Sequence, residues 1–176
     1  MKFLYIMLLL SFNIFASESI PIKQKPQDML KSISKHAIRI GTGTLSNVYI
    51  FVDPMCKYSR RIISKIDENK MLQLKNTYYI FLYRLQKFDS DKLIQYIYQS
   101  SDQKSVFMDV MVDEEIIDLD DFKANKETLQ ALKNISKVAK KLDMKLRPYI
   151  ISFDKGSKFC RVSEGVVSCL EEFDLH

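Results

Sequence analysis

The stretch FVDPMCKYSRR, residues 51–61, constrains this chain more than any other. It continues an unbroken β-branched and aromatic run, NVYIFVD at 47–53. Such a run fits a strand covered on both faces. Pro54 ends it, because proline has no N–H for a sheet ladder and disfavours helix in the residue before it. Cys56 then opens a segment with Ile62, Ile63 and Ile66 at helical spacing and with Lys57, Arg60 and Arg61 in its first turn. The pattern predicts a sulfur at the N-terminus of a helix, just after a buried strand. Unpaired N–H groups and the helix dipole favour negative charge there. The thiolate is the form of cysteine that attacks disulfides.

The rest of the chain supplies the frame. TYYIFLYRL at 77–85 is a second apolar strand, and an apolar strand, a helix and a strand in sequence suggest a parallel βαβ unit. DKLIQYIYQS at 91–100 is helical, with Asp89, Ser90 or Asp91 as its cap. SVFMDVMVDE and KETLQALKNISKVAKKLDM are two further helical segments, and the acidic DEEIIDLDDF at 113–122 joins them as a polar connector. RPYIISFDKGSKFCRV at 147–162 reads as a hairpin, with DKGS as the turn and Gly156 available for positive φ. SEGVVSCLEEF closes the chain as a helix, with Ser163 as N-cap and Glu164 in its first turn. Ahead of the first strand, residues 17–44 form a lead-in of one or two amphipathic helical turns and the turn GTGT. The expected fold is α/β: a four-stranded mixed sheet over 45–176, flanked by helices, with a helical insertion at about 89–144.

The first sixteen residues, MKFLYIMLLLSFNIFA, place Lys2 before an apolar run that ends at a small residue, Ala16. This is the layout of a secretory signal peptide. The run falls short of the roughly 20 apolar residues of a membrane span. The chain is therefore expected in the periplasm after cleavage, where disulfides persist. The net charge of +5 is spread among acidic residues without a basic tail, so it points to solubility and not to nucleic acid.

FVDPMCKYS resembles the active-site stretch of bacterial periplasmic disulfide isomerases of the Dsb type, whose pattern is roughly F-x-D-P-x-C-x-Y-C. Phe51, Asp53, Pro54, Cys56 and Tyr58 match it, and Ser59 stands where the family closes with cysteine. VAKKLDMKLRPYIISFDKG at 138–156 resembles the family's approach to a cis-proline loop. The resemblance implies a thioredoxin-like fold with Pro148 as the cis-proline. It makes Arg147 the residue whose backbone faces the substrate, and it sets Tyr58 beside the thiol. Arg147 is unusual where the family often has threonine. The lead-in is too short for the separate dimerisation domain of the dimeric isomerases, so a monomer is expected.

The chemistry follows from one cysteine and one serine. Cys56 is the expected nucleophile. Lys57 and Arg60 favour its thiolate, and Asp53 opposes it if close. A hydroxyl at Ser59 cannot attack a mixed disulfide, so the motif cannot store a disulfide within itself. Isomerisation remains open, because the substrate's own second cysteine can resolve the intermediate. Ser59 is also placed to hydrogen-bond the sulfur. The expected activity is monothiol thiol–disulfide interchange on exported cysteine-containing proteins, without a cofactor, and a membrane redox partner is a further expectation. The competing readings are a non-catalytic binding module or scaffold, and a chaperone whose thiol is dispensable.

Cys160 and Cys169 read separately. With a turn at 162–163, Cys160 lies about 7–10 Å back along a strand at ~3.3 Å per residue, and Cys169 about 9–10 Å along a helix at ~1.5 Å per residue. A bridge tying strand to helix is feasible, worth roughly 2–3 kcal/mol as a short loop closure. Two reduced core cysteines are the alternative. His36 and His176 have no metal-ligand spacing, and the acidic connector lacks the glycine of a calcium loop, so no metal site is expected.

Overall fold

Strand β2 (Ser46–Val52) lies at the centre of a five-stranded sheet in the computed structural model, which describes residues 25–154 and 160–164. Every residue of β2 except Asn47 is buried, so both faces of the strand are covered. It pairs in parallel with β3 (Asn76–Leu82), from Ser46 opposite Asn76 to Val52 opposite Leu82. Phe51 and Phe81 stack across this pair with ring centroids 4.9 Å apart. On its other side β2 pairs antiparallel with β4 (Tyr149–Asp154), which pairs antiparallel with β5 (Cys160–Glu164).

The βαβ crossover is made by α2 (Lys57–Glu68), which buries Ser59, Ile62, Ile63 and Ile66. That spacing of three, one and three puts all four on one helical face. The sequence reads on as if the helix continued, but Asn69 interrupts it. Its side chain accepts the N–H of Leu72 at 3.1 Å and caps a new helix, α3 (Lys70–Lys75). Three more helices follow β3: α4 (Asp91–Gln99), α5 (Gln103–Met111) and α6 (Lys126–Lys141). Their buried residues, among them Ile94, Ile97, Phe107, Val110, Ile135 and Ala139, join one core with the sheet.

Two expectations are corrected. The sheet has five strands, not four. After α1 (Lys25–Ile33), a 3-10 turn at Ser34–His36 ends the helical path, and β1 (Ile38–Ile40) runs antiparallel to β3 at the edge. Ile38 and Ile40 are buried, and the exposed Arg39 lies over the Tyr79 ring at 5.4 Å. Three residues are too few for alternation to be told from helical spacing. The turn after β1 needs its glycine, because a Cβ at Gly43 would lie 1.9 Å from the carbonyl carbon of Lys75.

The second correction concerns Ser163 and Glu164, which belong to β5 and not to a closing helix. They pair with Ile150 and Tyr149, because β4 begins at Tyr149 and its partner follows it that far. The Glu164 carboxylate accepts the N–H groups of Lys145 and Leu146, holding the segment that leads into Pro148. The signal peptide, the hairpin turn and the remainder of the closing helix lie outside the described residues, as do Cys169 and the side chain of Cys160. No helix among the described residues is long and apolar enough to cross a membrane.

Candidate active site

Asp53 is the point on which the site turns. It follows β2 directly and has no exposed surface. Its Oδ1 accepts the N–H of Met55 at 2.8 Å, and its Oδ2 accepts the N–H of Leu85 at 2.6 Å and the hydroxyl of Ser90 at 2.9 Å. The carboxylate thus ties the end of β2 to the segment after β3 and to the start of α4. Of the three cap candidates Asp89, Ser90 and Asp91, Ser90 occupies the N-cap position of α4, but its hydroxyl donates to Asp53 and makes no cap bond.

The backbone of Asp53 sets the two residues that matter for thiol chemistry. Its carbonyl accepts the N–H of Cys56 at 3.0 Å, closing a turn through Pro54 and Met55. Its N–H donates to Ser59 Oγ at 3.2 Å. Cys56 is the N-cap of α2, at φ −90° and ψ 114°, so its sulfur stands at the end of the helix where N–H groups are unpaired. Ser59 is wholly buried one turn in. The expected hydrogen bond from Ser59 to the sulfur is not among the described bonds; the one described for its hydroxyl oxygen is with the Asp53 N–H.

The other wall comes from the loop before β4. The Arg147–Pro148 peptide bond is cis. The Cys56 thiol lies 3.7 Å from the carbonyl oxygen of Arg147, a hydrogen bond that only the protonated sulfur donates. Cys56 is a free thiol and is 3% exposed, whereas its neighbours Met55 and Tyr58 are each 45% exposed.

The side chain of Arg147 is buried as well. Its Nε donates to the carbonyl of Tyr83 at 3.1 Å, its Nη1 to the carbonyl of Leu146 at 2.6 Å, and its guanidinium lies 4.4 Å from the centre of the Tyr83 ring. Burial pulls its proton affinity below the ordinary arginine value. Tyr83, Asp53, Glu164 and Cys56 pull it back up. The guanidinium stays charged, within interaction range of both Asp53 and the thiol. An approach of Arg147 to the thiol from the cis-proline loop is an expectation of the sequence; its contacts with Tyr83 and its interaction with Asp53 have no signature there, because those partners come from separated stretches.

The helix cations make contacts of their own. Lys57 Nζ sits 5.1 Å from the centre of the Tyr58 ring. Arg60 donates through Nε to the carbonyl of Pro54 at 2.6 Å and through Nη1 to Glu114 at 3.1 Å. Both are held by partners other than the sulfur. The structure therefore brings Asp53, Cys56, Ser59, Arg147 and Pro148 together, leaves Tyr58 and Lys57 on the rim, and turns Arg60 toward the acidic connector. Among the described residues no three His, Cys, Asp or Glu side chains are grouped to hold a metal ion.

No protein-family model matches the chain. No curated protein matches it by sequence. Solved structures do. A disulfide interchange protein from Neisseria gonorrhoeae superposes with a TM-score of 0.58 at 19% identity, over 80% of this chain and 94% of its own. The catalytic domain of Proteus mirabilis ScsC gives 0.61 at 17% identity, over 85% and 94%. Salmonella enterica Typhimurium BcfH gives 0.54 at 12% identity, over 83% and 75%. At these identities the likeness is one of fold, and the chain has a thioredoxin-like fold.

Proposed function

We propose that this protein is a monothiol thiol–disulfide interchange protein of the bacterial periplasm, acting on exported proteins through Cys56. The observation that carries this reading is the placement of Cys56 at the N-cap of α2, with its sulfur against the residue before a cis-proline, while position 59 is serine. The solved structures of the same fold include a disulfide interchange protein, which supports the reaction class.

The reaction follows from the residues present. The Cys56 thiolate attacks one sulfur of a substrate disulfide. A Cys56–substrate disulfide forms, the substrate S–S bond breaks, and the released thiolate takes up a proton. A second substrate thiolate then attacks the substrate sulfur of this mixed disulfide and displaces Cys56. Nothing is oxidised or reduced overall, so the pairing of the substrate's cysteines changes without any need for Ser59. The N–H of Arg147 makes no bond among the described residues, which supports a role for it in pairing with the substrate backbone. The apolar leader of residues 1–16 supports export.

The test is re-pairing of a scrambled disulfide protein with the chain freed of residues 1–16. Wild-type protein is expected to speed recovery of the native pairing, and Cys56→Ala to remove the effect. Equal rates for the two would sink the proposal. A non-catalytic binding module is the second reading, and the burial of Cys56 with its thiol satisfied by a carbonyl favours it. That reading expects partner binding to survive Cys56→Ala.

A further inference from the structure

A groove of about 510 Å³ opens between the active-site turn and the connector from α5 to α6. Met55, the residue before Cys56, forms part of its wall. Leu93, Ile116, Ile117 and Leu119 supply the other apolar surface, and Ile116 is 99% exposed. Single exposed apolar residues are ordinary, but a contiguous set lining a groove marks a contact surface.

The groove is tied to the active-site turn. Arg60 holds the Pro54 carbonyl with one nitrogen and Glu114 with another. Glu114 itself sits at φ 56°, in the left-handed region, where the connector changes direction. Arg60 thus fixes one wall of the groove to the loop that carries Cys56.

Three carboxylates, Asp89, Glu114 and Glu115, face two cations at the groove, which leaves its lining net acidic. The cations are already engaged: Arg60 as above, and Lys92 Nζ with the carbonyls of Leu119 and Asp120 at 3.3 and 3.4 Å. The carboxylates of Asp89 and Glu115 have no partner among the described residues. The connector at 113–121 holds six acidic residues and no basic one. An apolar floor with unpaired carboxylates at its rim complements an apolar residue flanked by lysine or arginine.

We infer that this groove holds the substrate chain next to its captured cysteine, selecting an apolar residue with a basic neighbour. The inference rests on the thiol reading above, because continuity with Cys56 through Met55 determines the occupant. A chain with its cysteine on Cys56 passes Met55 with the next one to three residues, at roughly 3.3–3.6 Å each.

The experiment uses two peptides, each with its single cysteine activated as a disulfide with thionitrobenzoate. One carries leucine and lysine on both sides of the cysteine, the other serine and glutamate. Cys56 attacks the peptide sulfur, the peptide–Cys56 disulfide forms, and coloured thionitrobenzoate leaves as the thiolate. Each rate is divided by the rate with the small disulfide dithiobis-nitrobenzoate. The apolar, basic peptide is expected to react about tenfold faster on this scale, the size of effect one good side-chain contact gives.

The double variant Ile116→Ser, Glu115→Lys is expected to bring the preference to within about threefold. Glu68→Lys, the same charge change at the far end of α2, is expected to leave it. A wild-type preference near unity, a preference that survives the double variant, or an equal loss in Glu68→Lys overturns the groove while leaving the thiol reading standing. Failure of Cys56 to react with any of the probes overturns the thiol reading and the groove with it.

Discussion

Ser59→Cys is expected to shorten the lifetime of a Cys56 mixed disulfide by at least about a hundredfold. Ser59 stands three residues after the N-cap, and side chains at that spacing face each other about 5–6 Å apart at Cβ, so a closing movement of about 1–2 Å reaches the roughly 3.5–4.5 Å of a disulfide. A cysteine there attacks intramolecularly, at an effective concentration far above that of millimolar external thiol. The variant gains an internal disulfide and with it the capacity to store oxidising equivalents. The change removes one hydroxyl acceptor from the Asp53 N–H, at a stability loss of about 1 kcal/mol. The check is decay of a preformed glutathione adduct on Cys56, followed by mass spectrometry in wild-type and variant protein. Equal decay would show that the geometry at position 59 does not permit resolution.

Asp53→Ala is expected to lower the unfolding free energy by about 3–5 kcal/mol, among the largest effects of any single change here. It strips partners from two part-buried backbone N–H groups and the buried Ser90 hydroxyl, and removes one of the carboxylates, with Glu164, that act on the buried Arg147 guanidinium. A native domain has only about 5–15 kcal/mol to lose. Asp53→Asn keeps the Oδ2 bonds and is expected to cost about 1–2 kcal/mol. Urea unfolding of the three proteins tests this. A loss below about 1 kcal/mol for the alanine variant would mean that Asp53 is not the hub its contacts indicate.

The parts legible in the sequence are those set by local pattern. NVYIFVDP announced a buried strand and its end because every residue from Val48 to Val52 is apolar or aromatic. Ile62, Ile63 and Ile66 announced α2 because they lie on one face. The edge strand was hidden because Ile38–Arg39–Ile40 is too short to show a period. Ser163 misled because serine followed by glutamate looks like an N-cap and the acidic first turn of a helix, whereas pairing with β4 decides its state. The active-site network was hidden for a different reason. Asp53 reaches Ser90 across 37 positions, and Cys56 reaches Arg147 across 91. No spacing rule covers contacts made only after the sheet has formed. The cis bond at Pro148 was legible from the family resemblance together with the proline's place at the start of a strand.

Glutathione disulfide, added at neutral pH to the chain freed of residues 1–16 and followed by peptide mass mapping, tests the central claim most directly. A nucleophilic Cys56 attacks one glutathione sulfur, keeps that half as a mixed disulfide and releases the other as thiol. The expected result is one glutathione on Cys56, formed faster in the folded protein than in the same chain unfolded in urea, and lasting because position 59 is serine. Slower modification of Cys56 in the folded protein than in the unfolded chain would contradict the account, and the thiol would then be a buried structural residue of a binding module.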